Sequence, residues 1–180
     1  MPTLAQRMGV TCHESPLRHK LARLRSEFPS ATAECLEDWL MDVANARDAR
    51  VVVRPVAAPA NFRAPAPNNL SNEELIAGLC QFQCLDRPQM LRLAAQLISR
   101  GAADPARLAF LAQRERADRV LAALANAALH VEPTHSAWIA LRDQLHDSRP
   151  LRDVVLHWTR LAEPVMRRHA PNASAWKLAA

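Results

Sequence analysis

The amino-acid sequence predicts an all-α protein, an antiparallel helical array or bundle of about seven to eight helices. Three observations carry that expectation. Alanine and leucine dominate an apolar share of 49%, while aromatic residues make up only 4%, a balance that favours closely packed helices over sheets. Apolar residues recur at three- and four-residue spacing in most stretches from Leu17 to Leu145, the period of a helix with one buried face. Most of those stretches open on a residue suited to capping a helix N-terminus. A chain of 180 residues is long enough to bury a core without disulfides or metal.

Ser15 as cap and Pro16 at the first helical position announce the first helix, with Leu17, Leu21, Leu24 and Phe28 on one stripe and Pro29 as its stop. A second helix is expected from about Ala33 to Arg47, capped by Ser30 or Thr32. It would bury Leu36, Trp39, Leu40 and Val43 and turn an acidic ridge of Glu34, Asp38 and Asp42 outward. Arg18, Lys20, Arg23 and Arg25 on the first helix oppose that ridge, which suggests an antiparallel hairpin. Val51-Val52-Val53 has strand propensity but no second strand to pair with. The following Pro/Ala-rich run contains Pro55, Pro59, Pro65 and Pro67, which deny the chain helical hydrogen bonds. The expected organisation is therefore an N-terminal hairpin (1–50), an extended linker (51–69), a main helical domain (70–170) and a tail (171–180). The tail ends in Lys177-Leu178-Ala179-Ala180, which resembles a vector-derived linker.

In the main domain Ser71 and Glu74 form a capping box, with Leu70 and Leu75 at hydrophobic-staple spacing. Asp86 with Gln89 is expected to cap the next helix. There Met90, Leu91, Ala94, Leu97 and Ile98 face inward, Gln89, Arg92, Gln96 and Arg100 face water, and Gly101 provides a left-handed end. Asp104-Pro105 opens a helix that buries Leu108, Leu111 and Ala112. The apolar phase then slips at Gln113-Arg114-Glu115-Arg116, so a break is expected before a helix on Val120, Leu121, Leu124 and Ala128. Pro133-Thr134 starts a short helix with Trp138, Leu141 and Leu145. A last long helix after Pro150 would use Val154, Val155, Trp158, Leu161 and Val165. No fixed-period motif repeats, so the pattern is array-like without defining a repeat family.

Several functions are excluded by residue type and spacing. Gly9, Gly78 and Gly101 are the only glycines, too few and too far apart for a P-loop or a dinucleotide-binding turn. The N-terminus lacks the apolar segment of a signal peptide, and no apolar run approaches the ~20 residues that span a bilayer. The expected setting is cytoplasmic, with reduced thiols, and the Ala/Arg-rich composition suits a bacterial proteome. Histidines are scattered outside any HExxH helix, and no serine sits in a GxSxG elbow. Cys80 and Cys84 would share a helix face, yet they supply only half of a tetrahedral zinc site; Cys12, His13, His19 and Cys35 match no common zinc module. No catalytic, cofactor or metal residue is therefore expected.

The formal charge is +5 and rests almost wholly on arginine, because Lys20 and Lys177 are the only lysines. Arg114, Arg116 and Arg119 form the densest basic cluster, with Arg167 and Arg168 as a second; either could contact phosphate or an acidic partner. No aromatic residue is expected to interleave with the first cluster, which argues against base stacking. The leading expectation is a non-enzymatic protein-interaction module, an adaptor or assembly component. The alternative is a nucleic-acid-binding regulator using the arginine cluster, and third comes an enzyme with a helix-lined cleft.

Overall fold

The computed structural model describes residues 15–47, 49, 65–81 and 87–150. Among them 65% lie in α-helices and none in a strand, so the protein is all-α. Seven helices occur among the described residues: α1 (Pro16–Glu27), α2 (Leu36–Ala46), α3 (Asn72–Leu79), α4 (Pro88–Ser99), α5 (Pro105–Arg114), α6 (Asp118–Val131) and α7 (Ser136–Gln144). The valine run, the linker as far as Ala64, Cys84, Asp86 and the helix expected beyond Pro150 lie outside the described residues.

The shortest helix, α3, stands at the centre. It packs against α1, α2, α4 and α5, while α7 closes the other side against α4, α5 and α6. Leu75 to Leu79 are all buried, which leaves α3 no solvent stripe over that stretch. Gly78 permits this crowding: a Cβ there would fall 2.8 Å from Leu21 Cδ1 and under 4 Å from Leu40. The absence of a side chain thus brings α1 and α2 onto α3. One continuous apolar core runs from Leu17 and Leu21 through Trp39, Ile76 and Leu91 to Trp138 and Leu145, so the first two helices share it with the remainder.

Local chemistry sets the helix ends where the sequence carries it. The Ser71 and Glu74 capping box is fully formed. The Asp104 carboxylate accepts from the Arg107 amide at 2.7 Å, one position ahead of Pro105. Gly101 ends α4 at φ +70°. The Gly101 amide donates to the Ile98 carbonyl and the Ala102 amide to the Leu97 carbonyl, the paired bonds of a Schellman turn.

Five expectations are corrected by the structure. Phe28 leaves the α1 stripe, because the helix stops at Glu27; its ring is part-exposed while its carbonyl accepts from Trp39 Nε1 at 2.7 Å. Ser30 and Thr32 do not cap α2, whose cap is Cys35 with no side-chain bond. Their hydroxyls donate instead to Asp42 Oδ2, at 2.6 and 2.9 Å. Asp42 is therefore buried and anchors the α1–α2 connection rather than standing on an outer ridge. The α4 cap is Arg87, which makes no side-chain capping bond and whose guanidinium pairs with Asp38 at 3.0 Å. Arg92 and Gln96 are half-buried, and desolvation lowers the Arg92 pKa.

The opposite charges of α1 and α2 meet in the ion pair of Arg18 with Glu37 at 2.9 Å. Lys20 reaches α3 and binds both Glu74 oxygens at 2.7 Å, and Arg25 donates to the Glu34 carbonyl.

Two carboxylates make the fold acid-sensitive. Burial works against ionisation of Glu37, but hydrogen bonding and attraction from Arg18 hold its pKa below the ordinary 4.5. Burial likewise opposes ionisation of Glu73, but hydrogen bonds from the Asp104 amide, its own amide and Ser71, with attraction from Arg107, together hold its pKa below the ordinary value. A folded pKa below the unfolded one contributes stability above about pH 4.5 that is lost as pH falls through the folded value. The urea midpoint should therefore fall on acidification below that point. A Glu37→Gln, Glu73→Gln double variant should show a flatter fall; an unchanged slope would remove both groups from the account.

Candidate functional site

The break after α5 is a second Schellman turn, with the Arg116 amide donating to Gln113 and the Ala117 amide to Ala112 at 2.8 Å. Glycine normally occupies the left-handed position of such a turn, whereas here it is Arg116 at φ +59°. A side chain in that region costs roughly 1–2 kcal/mol. Glu115, just before the turn, continues the buried stripe of Leu108, Leu111 and Ala112 and its side chain has no exposure, while Arg114 and Arg116 stand in solvent.

A buried carboxylate requires hydrogen-bond partners, and Glu115 has one for each oxygen. Arg114 Nε donates to Oε1 at 3.0 Å, and the Ser15 hydroxyl donates to Oε2. Ser15 Oγ in turn accepts from the Arg18 amide at 3.1 Å and from Gln81 Nε2 at 2.9 Å. The N-terminus of α1 and the residue beyond the α3 cap are thereby tied to the end of α5.

The outer face of α5 is Ala106, Arg107, Phe110, Gln113 and Arg114, all exposed, opposite a face that buries Leu108, Ala109, Leu111 and Ala112. Phe110 retains 66% of its surface, the largest exposure of any large apolar residue among those described. It stands one turn from both Arg107 and Arg114 on the same face, where side chains three and four apart are neighbours. Phe110 thus flanks the arginine cluster on the α5 side, and no aromatic residue lies between Arg114 and Arg119. Arg119 lies in the first turn of α6 and donates through Nε to the Arg149 carbonyl at 3.2 Å; both side chains are exposed. The structure thus brings Arg114, Arg116 and Arg119 to one corner and adds Phe110, Arg107 and Arg149. Arg167 and Arg168 lie outside the described residues.

The remaining candidates have structural work. His135 is buried, with Nε2 3.1 Å from the Ser99 carbonyl at the end of α4, whereas His130 is exposed in the last turn of α6. Cys35 caps α2 and Cys80 is buried at the end of α3. Cys12 and His13 are not among the described residues, and no described group of three His, Cys, Asp or Glu could hold a metal ion. A shallow groove of about 350 Å³ runs between the end of α2 and the start of α3, lined by Arg47, Pro67, Asn68, Leu70, Ser71 and Asn72. Arg47, Ser71 and Asn72 direct their polar atoms into capping and loop bonds there.

Fold and site together define an all-α helical array with an exposed patch of one aromatic ring and several arginines on and beside α5. No protein-family profile, curated protein or solved structure matches the chain. No helix among the described residues is long and apolar enough to cross a membrane.

Proposed function

We propose that this chain is a non-enzymatic protein-interaction module, an adaptor or assembly component of the cytoplasm, that docks through the outer face of α5 and the turn after it. The observation that carries this reading is the exposure of Phe110 between Arg107 and Arg114. Aromatic and arginine side chains dominate the energy of protein interfaces, and a well-capped helix presents them on a rigid support. The left-handed Arg116 supports it too. Glycine would satisfy the turn at lower cost, so the arginine is retained against local stability, as occurs at functional surfaces.

The test is quantitative capture from native extract by the wild-type protein and two variants. Phe110→Ala is expected to lose at least one stoichiometric partner. Arg116→Gly is expected to weaken the same capture while raising stability by up to about 1 kcal/mol, so its loss cannot be assigned to unfolding. Identical capture by all three proteins would overturn the proposal.

A second reading, a nucleic-acid-binding regulator, draws support from the same arginines beside an exposed ring. Binding of duplex and single-stranded oligonucleotides at low salt would favour it, with an affinity that falls steeply as salt rises. No binding at low salt would exclude it, because phosphate contacts are strongest there.

A further inference from the structure

Resting on the docking reading, we infer that the α5 face receives an acidic, amphipathic segment of a partner protein. On that segment a large apolar side chain would meet Phe110 and a carboxylate one turn away would meet Arg114. The Arg114 guanidinium is held by its Nε edge against Glu115. Among the described residues its terminal nitrogens have no partner, and the side chain is 51% exposed. An arginine fixed at one edge presents its outer donors in a planar fork that matches a carboxylate, and less freedom is lost when the ligand arrives. Glu115 is itself locked by Ser15, so it is a positioning residue for that fork.

Charge complementarity selects the sign of the partner. Arg107, Arg114, Arg116, Arg119 and Arg149 are exposed in this region and outnumber its exposed acids, Asp104 and Asp147, while Glu115 is buried and Asp118 half-buried. The apolar anchor selects a peptide over a nucleic acid. A single-stranded tract needs successive stacking platforms along a groove, and one ring on a convex helix is not such a platform.

The probe is a short labelled helical peptide of glutamate and alanine with one central leucine, followed by fluorescence anisotropy at low and high salt. Wild-type protein should bind it, and a peptide with glutamine in place of glutamate should not bind. Phe110→Ala should weaken binding about tenfold, and Arg114→Lys, which keeps the charge but removes the fork, should weaken it severalfold. Glu115→Gln decides the positioning role by its sign. As a mere countercharge, its removal would strengthen binding of an acidic probe; as a positioning group, its removal weakens it. A thermal melt confirms that the variant is folded, and Arg114→Lys tests the fork at an exposed position if it is not.

Tighter binding by Glu115→Gln would overturn the positioning role, and a Phe110→Ala protein that binds normally would overturn the site. An oligonucleotide bound more tightly than the peptide would overturn the choice of partner. Absence of peptide binding together with a capture profile that still depends on Phe110 would sink the acidic-segment inference and leave the docking reading standing. A capture profile indifferent to Phe110 removes the docking reading itself.

Discussion

Trp138→Ala is expected to lower the unfolding free energy by about 3–5 kcal/mol, the range for removing a large aromatic from a packed core. Trp138 is fully buried on α7, the helix that packs on α4, α5 and α6. Its indole Nε1 donates to Ser99 Oγ at 3.1 Å, and its ring meets His135 edge-on with centroids 6.4 Å apart. His135 Nε2 lies against the Ser99 carbonyl at the same helix end. One truncation thus opens a cavity and removes the donor to the Ser99 hydroxyl at the end of α4. Trp138→Phe keeps one aromatic ring but removes the N–H and part of the indole volume, so it should cost about 2 kcal/mol, less than alanine. Urea unfolding of both variants checks the pair. Equal losses would mean that the Ser99 bond and the part of the indole that carries it dominate; a loss below about 1 kcal/mol for alanine would mean that the α4–α7 seam can collapse onto the vacated space.

The seam also marks where sequence reasoning ends. Ser71 with Glu74, Asp104 ahead of Pro105, and Gly101 act on backbone groups within a few residues, so their spacing alone locates helix ends. His135 caps the end of a helix 36 residues earlier in the chain, and no local pattern carries that information. Asp42 reads as one more surface acid at four-residue spacing until the α1–α2 connection folds its two hydroxyls onto it. At the candidate site the arginines are legible as a local density of charge. Phe110 escapes notice because Leu108, Leu111 and Ala112 already account for the helix. The available signal is that a large ring falls in phase with Arg107 and Arg114 rather than with the leucines. Glu115 is the harder case. It stands between two arginines and looks solvated, although it falls one turn after Leu111 and two turns after Leu108, in phase with the buried stripe that carries it toward Ser15.

Arg47→Met should destabilise the protein by about 3 kcal/mol, because the replacement keeps an apolar stem and removes a guanidinium that bonds three acceptors in the segment leading into α3. Arg47 caps the end of α2. It donates to Asn72 Oδ1 at 2.6 Å, to the Pro67 carbonyl at 3.3 Å and to the Leu70 carbonyl. Asn72 then passes the connection on, donating to the Ala102 carbonyl beyond the end of α4 at 2.6 Å. Burial pushes the Arg47 pKa down while Glu74 and Glu73 nearby push it up, and burial prevails. The side chain is therefore held where its charge is partly desolvated, and its donors are directed into the entry to α3. A lysine supplies one compact charge in place of a planar fork, so Arg47→Lys should recover less than half of the loss. A double-mutant cycle of Arg47→Met with Asn72→Ala separates the two causes that could produce the same single-variant number. If the guanidinium acts through Asn72, the two losses should fall short of additivity by about 1 kcal/mol or more. Additive losses would place the contribution of Arg47 in the carbonyls of the 67–70 turn alone, and a neutral Arg47→Met would reduce the residue to the packing of its stem.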